Sequence, residues 1–222
     1  MTRFGLGGPA RWRIDAFDAE AFLAAQAAAE ASGLPWLVLG GGSNLVVADA
    51  GFEGVILRYA ASRISAFDGM VYVESGADLE ALVDFAIDRG LGGIECLKRI
   101  PGWVGGAIYG NAGAYGQQIN ERILAVRVFD GQGFRHLSNE ECGFEYRTSG
   151  FKQHKEWIIC SATLRLEPGD KSALAAKAEE IREIRDEKFP PAMRCAGSIF
   201  KNLFFDRLPA GVRERVPSGM VK

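Results

Sequence analysis

Several features that mark other protein classes are scarce in this chain of 222 residues. It has two histidines and four cysteines, with no CxxC pair, so no zinc site is expected. No apolar run approaches the roughly 20 residues that span a bilayer, and the N-terminal residues do not resemble a signal peptide. The net charge of −2 provides no positive field for nucleic acid. These absences predict a cytoplasmic globular protein without metal, membrane or nucleic-acid partners, and nothing indicates an obligate protein partner.

Glycine, by contrast, is concentrated in one region. The uncharged run IPGWVGGAIYGNAGAYG at 100–116 contains seven glycines or prolines. Glycine in a helix interior costs roughly 1 kcal/mol relative to alanine, so we do not expect an ordinary helix here. The run is also too apolar for a flexible linker. Glycine lets backbone N–H groups approach a large or anionic ligand, and GGGSN at 40–44 has the same character. We expect the two loops to form two walls of one cofactor site.

Periodicity and capping residues predict a mixed α+β chain. After the first glycine loop we expect a strand at 45–48 (LVVA) rather than a helix, which disfavours a Rossmann fold. Other helices and strands are expected from helix caps and from alternation or apolar runs. The predicted helices are 18–32, 78–89 and 172–188, and the further predicted strands are 36–39, 55–58, 70–74, 123–129 and 157–166. We predict subdomains at 1–60 and 61–168, followed by the start of a third domain at 169–222 that is incomplete in this chain.

Four motifs occur in a fixed order along the chain: GGGSN at 40–44, the glycine run at 100–116, YRTSGFK at 146–152 and AGSIFKN at 196–202. In this order and spacing they resemble the UDP-N-acetylenolpyruvoylglucosamine reductase family. The resemblance implies a two-subdomain FAD-binding fold of the vanillyl-alcohol-oxidase type and a substrate domain. It also implies noncovalent FAD, NADPH as hydride donor, a UDP-sugar substrate and a role in peptidoglycan precursor synthesis.

The resemblance also assigns roles to individual residues. Ser198 would be the general acid and Arg147 would stabilise an enolate at the substrate carboxyl, while Lys188 and Asn202 would contact substrate. The family's third catalytic group, a glutamate late in its third domain, is assigned to no residue here. The cofactor would be bound by Gly40, Gly41, Gly42, Ser43, Asn44, Pro101, Gly102, Gly105, Gly106, Asn111, Ala112, Gly113 and Ala114.

The residues alone leave alternatives open. Ser198 also suits a turn cap, Arg147 suits an ion pair with Glu141 or Glu145, and Lys188 suits a solvated helix end. Two other functions compatible with the motifs are a flavin-binding relative without turnover and a different flavin oxidase of the same fold. Substrate-dependent NADPH consumption separates the reductase from the first, and dependence on Ser198 separates it from the second.

Overall fold

The computed structural model describes residues 2–195, 201–202 and 205–215. Its first unit is a parallel three-stranded sheet built from β1 (Ala10–Ala16), β2 (Trp36–Val38) and β3 (Phe52–Tyr59), with β3 in the centre. Helix α1 (Ala19–Ala31) connects β1 to β2 and packs on this sheet. Asp18 begins the helix as predicted, because its carboxylate accepts the Ala21 N–H at 2.7 Å.

The second unit is an antiparallel five-stranded sheet with helices against it. Its strand order is β10-β9-β11-β5-β4. Strand β11 therefore lies between the β4–β5 pair and the β9–β10 pair, although it comes after both in the chain. The elements are, in chain order, β4 (Ile64–Phe67), β5 (Met70–Glu74), α2 (Leu79–Asp88), β6 (Leu91–Gly92), α3 (Val104–Tyr109), β7 (Gly113–Ala114), β8 (Gln117–Gln118), β9 (Ile123–Phe129), β10 (Phe134–Ser138), β11 (Ile158–Arg165) and β12 (Glu167–Pro168).

Two hydrophobic cores correspond to these units. The first collects Phe22, Leu57 and Tyr59, and it also takes Ile158 and Cys160 from β11 of the second unit. The second core lies between the five-stranded sheet and helices α2 and α3. Since β11 contributes side chains to both cores, the two units are packed together through this strand.

Helix α4 (Lys171–Lys188) follows the second sheet in the chain and packs on the second core from the side of α2. Ala178 and Ile181 are buried in the second core, and the helix contacts α2 and the 3-10 turn at Glu95–Leu97. Beyond it the structure describes a 3-10 turn at Phe205–Arg207 and helix α5 (Ala210–Arg213). The predicted boundary at 169 therefore falls just before a helix that belongs, by packing, to the second core, and the domain boundaries stay a prediction.

Two local predictions were wrong. Residues 45–48 form no strand, and the Ala48 carbonyl instead accepts the Gly8 and Gly51 N–H groups. The glycine run also contains a short helix, α3, which includes Gly105 and Gly106. A Cβ at Gly105 would lie 2.9 Å from the Ser75 Cβ, so the close packing of this helix on the end of β5 explains its glycine. The absence of a helix directly after GGGSN still disfavours a Rossmann fold.

Candidate FAD and substrate site

The two predicted glycine loops meet in the structure. Gly102 has a φ of +121°, and a Cβ on it would lie 2.3 Å from the Ser43 hydroxyl oxygen of the first loop. Only glycine permits both this backbone angle and this approach. The Gly102 carbonyl accepts the Leu79 N–H at 2.9 Å, which ties the second loop to the start of α2. The two loops therefore lie against each other, and their role as two walls of one cofactor site stays a prediction.

Trp103 lies between the loops and was not among the predicted site residues. A Cβ at Gly41 would lie 3.3 Å from the Trp103 Cδ1, so the indole packs directly on the first loop. The Arg58 guanidinium carbon lies 4.1 Å from the Trp103 ring centroid, in a cation–π contact. Burial lowers the pKa of Arg58, and the Asp15 carboxylate opposes that shift. A tryptophan inside a glycine-rich run was the available sequence signal for this contact. Its partner Arg58 lies on β3, far away in the chain, and had no such signal.

A cavity of about 380 Å³ opens beside these loops. Among the predicted cofactor residues it is lined by Gly41, Ser43, Pro101 and Gly102. Arg3 and Arg99, which the sequence did not single out, add positive charge to its wall, and Asp78 and Glu80 add negative charge. A cleft of glycine backbone with arginines at its rim fits a flavin dinucleotide, whose diphosphate is anionic.

The third part of the predicted cofactor set, Asn111 to Ala114, lies in a tight turn. The Asn111 side chain is buried, and its amide donates to Gln118 Oε1 at 3.2 Å and to the Glu145 carbonyl at 2.9 Å. A Cβ on Gly113 would lie 2.3 Å from the Gln117 carbonyl oxygen. The Asn111 amide therefore braces the turn, and any contact with a cofactor at this position comes from the backbone.

Arg147 reaches this same turn from 34 or more residues further along the chain. Its Nη1 donates to the Asn111 carbonyl at 3.5 Å and its Nη2 donates to the Gly113 carbonyl. The Arg147 carbonyl in turn accepts the Lys152 ammonium at 2.7 Å. Within the part of the chain that the structure describes, the guanidinium bonds to carbonyls rather than to Glu141 or Glu145. Because a guanidinium has five N–H donors, two carbonyl bonds leave capacity for an anion.

Comparisons with known proteins agree with this geometry. Residues 15–137 match the family of the FAD binding domain, a range that contains both glycine loops. The chain is 51% identical over 221 residues to the UDP-N-acetylenolpyruvoylglucosamine reductase of Solibacter usitatus, covering 100% of this chain and 71% of that protein. It belongs to the UDP-N-acetylenolpyruvoylglucosamine reductase family.

Two further relatives of the reductase family support this assignment. The reductase of Carboxydothermus hydrogenoformans is 38% identical over 90% of this chain and 67% of its own length. The crystal structure of the reductase from Thermus caldophilus aligns with a TM-score of 0.73 at 33% identity, over 91% of this chain and 71% of that one. The predicted α+β, FAD-binding fold is thus confirmed.

The remaining residues predicted from the reductase family are less enclosed. Lys188 and Asn202 are both exposed, and the Lys188 ammonium lies 5.5 Å from the Phe189 ring centroid. Ser198 lies outside the described residues. Burial lowers the pKa of Lys152, and the Lys201 ammonium lowers it further, so Lys201 lies near the lysine that holds Arg147. Lys201, next to Asn202 in the chain, is therefore within electrostatic range of Lys152.

Among residues 2–195, 201–202 and 205–215, no cluster of three or more His, Cys, Asp and Glu side chains is arranged to hold a metal ion. In the same ranges, every helix is too short or too polar to cross a membrane.

Proposed function

We propose that this chain reduces the enolpyruvyl group of UDP-N-acetylenolpyruvoylglucosamine to give UDP-N-acetylmuramate, using bound FAD and NADPH in the cytoplasm. The observation that carries the proposal is the contact of Arg147 with the second glycine loop. This contact holds a permanent cation, the candidate carboxylate ligand, against the 111–113 turn of the same loop whose Pro101 and Gly102 line the cavity. The reaction belongs to peptidoglycan precursor synthesis.

The glycine loops bind and orient the cofactor in this proposal. FAD, when bound, supplies the hydride that no side chain can provide. Backbone N–H groups of 40–44 and those of Gly102 and Trp103 would hold its diphosphate, with Arg3 adding charge at the rim. The Val104 and Gly105 N–H groups are already bonded to the Ala77 and Ser75 carbonyls. Gly106 has no heavy atom within 4 Å of a Cβ position, so that side of α3 is open to a ligand.

Arg147 then holds the substrate. The guanidinium binds the substrate carboxylate and stabilises the enolate charge that develops when hydride adds to the terminal vinyl carbon and the electron pair moves to the carbon next to the carboxylate. The bonds to Asn111 and Gly113 fix the guanidinium before substrate arrives, so little reorganisation is needed at that step. The buried Asn111 amide supports this arrangement from behind.

Positive side chains near Arg147 suit the remaining charges of a UDP-sugar. Lys152 and Lys201 lie close enough to interact electrostatically, and Lys188 is exposed at the end of α4. A diphosphate binds to such lysines as to point charges. Ser198, three residues before Lys201 in the chain, is proposed to donate the proton that completes the reduction, with nearby cations lowering the cost of its ionisation.

Substrate-dependent oxidation of NADPH tests the proposal. We expect the purified chain with FAD to oxidise NADPH when UDP-N-acetylenolpyruvoylglucosamine is added, and Arg147→Gln to lower kcat about 100-fold or more. Arg11→Gln, at an exposed arginine of β1, is the matched control and keeps wild-type turnover.

Two outcomes would contradict the reductase. A bound-flavin spectrum without substrate-dependent oxidation would indicate a flavin-binding relative that lacks turnover. Oxygen reduction with a sugar or alcohol donor, unaffected by Ser198→Ala, would indicate an oxidase of the same fold.

A further inference from the structure

Arg99, the residue directly before the second glycine loop, has an unusual backbone conformation. Its φ is +63°, in the left-handed region that favours glycine and that non-glycine residues adopt at a cost in free energy. It also lines the cavity beside Ile100 to Trp103. Residues held in such conformations persist only where surrounding contacts fix them, and they concentrate at ligand sites.

The contact that fixes Arg99 is an ion pair with helix α4. Asp186 Oδ1 accepts from Arg99 Nε at 2.7 Å and lies 2.6 Å from Arg99 Nη2. The other oxygen of Asp186 accepts from Arg182 Nη1 at 2.9 Å. Both members of the Arg99–Asp186 pair are about four-fifths buried, at 22% and 21% side-chain exposure, so solvent screens this pair less than a surface one.

The rest of the segment before the loop is also tied to α2 and α4. Glu95 pairs with Lys177 of α4 at 3.1 Å, and Lys98 pairs with Asp84 of α2 at 2.6 Å. The Arg99 pair is the last of these anchors along the chain and the one that lines the cavity. Since Ile100 follows it directly, the orientation of the Arg99 backbone sets the direction in which the cofactor loop begins.

We propose that Arg99 and Asp186 are positioning residues that hold the 100–106 loop in its FAD-binding geometry and fix that loop against α4. Glycine at position 99 would satisfy the backbone angle alone, so the arginine is explained by its side-chain contact. Helix α4 ends at Lys188, two residues after Asp186, and the pair therefore also sets the distance between the cofactor loop and the proposed diphosphate ligand. This last consequence rests on the proposed function, whereas the effect on FAD does not.

Titration of the apoprotein with FAD, followed by flavin fluorescence, tests the inference. We expect Arg99→Gly and Asp186→Asn each to raise the Kd for FAD by about threefold to tenfold, and the double variant to raise it no further, because both remove the same contact. The thermal midpoint of the Arg99→Gly apoprotein should stay close to that of the wild type, because relief of the backbone strain offsets the lost ion pair. Lys171→Gln, which breaks the exposed Lys171–Asp88 pair at the other end of α4, is the control and leaves the Kd unchanged.

A Kd for FAD within twofold of wild type in both single variants would overturn the inference. So would a double variant whose loss is the product of the two single losses, because the residues would then act independently. A lowered thermal midpoint of the apoprotein with an unchanged Kd for FAD would show that the pair only stabilises the fold. That result would also overturn the inference.

A second measurement separates this inference from the proposed function. In the reductase assay, Asp186→Asn should raise KM for the UDP-sugar more than it lowers kcat. If the wild-type chain binds FAD without substrate-dependent turnover, the proposed function fails, while the comparison of FAD affinities still decides the role of Arg99.

Discussion

Gly102 is a residue at which the two glycine loops approach each other closely. We predict that Gly102→Ala raises the Kd for FAD at least tenfold, because the new Cβ meets the Ser43 hydroxyl and the φ of +121° is strained for alanine. The free energy of unfolding should fall by about 1 kcal/mol or more. Flavin titration and urea denaturation measure the two effects.

The matched control for this substitution lies in the turn between β9 and β10. A Cβ on Gly133 has no heavy atom within 4 Å, so Gly133→Ala should leave FAD affinity unchanged. If Gly102→Ala bound FAD with wild-type affinity, the contact between the two loops would not be needed for cofactor binding, and the prediction would be wrong.

At the level of single residues, local motifs were predictable from the sequence, whereas contacts between distant residues were not. The glycine loops and Arg147 were predictable because their motifs are local and ordered along the chain. The bonds from Arg147 to the 111–113 turn join residues at least 34 positions apart, and the left-handed backbone of Arg99 depends on a carboxylate 87 positions away. Neither contact has a local signal, since any arginine has the same donors.

At the scale of elements, helix caps and alternating strands were the most predictable features. Asp18 begins α1, and the strand predicted at 123–129 is β9 with the same bounds. The apolar segment at 45–48 has strand composition too, but its Ala48 carbonyl bonds to the Gly8 and Gly51 N–H groups rather than to a neighbouring strand. Short apolar runs depend on available partners, which a local pattern does not contain.

The 3-10 turn at Glu95–Leu97 gives a pH-dependent test of how α4 is attached. Burial would raise the pKa of Glu95, but the Gly93 N–H and the Lys177 ammonium together hold the pKa below its usual value. A carboxyl with a lowered folded-state pKa stabilises the protein above its unfolded pKa and loses that contribution as pH falls through its folded pKa. We therefore expect Glu95→Gln to cost about 1–3 kcal/mol at pH 7 and progressively less below roughly pH 4.

Urea denaturation at pH 7 and pH 3.5 measures this difference. Glu140→Gln, at an exposed glutamate, controls for loss of a carboxylate and should change stability little at either pH. A stability difference for Glu95→Gln that stays constant across the two pH values would show that the Lys177 pair does not stabilise the fold.

On the scale of the whole molecule, the FAD site joins two cores. The first loop follows β2 of the first unit, and the second loop contains α3, which packs in the core of the second. Because FAD binds the folded chain across both loops, 100-fold excess over Kd should stabilise it by about 2.7 kcal/mol. That corresponds to a rise of roughly 5–11 °C in Tm for a domain of this size.

Differential scanning calorimetry with and without FAD checks this prediction. ADP, which carries a diphosphate but no flavin, is the matched ligand control and should raise Tm less. An equal rise with ADP would contradict a site that spans both units, since the nucleotide half alone would then account for the binding.

The position of β11 in the sheet has a consequence for synthesis on the ribosome. β5 ends at Glu74, and the strand that pairs with its inner edge begins at Ile158. At 5–20 residues per second, about eighty residues take roughly 4 to 16 s to translate. During that interval β5 presents an unpaired edge, and the first core lacks Ile158 and Cys160. Until β11 is synthesised, the nascent chain thus exposes both the unpaired edge of β5 and an incomplete first core.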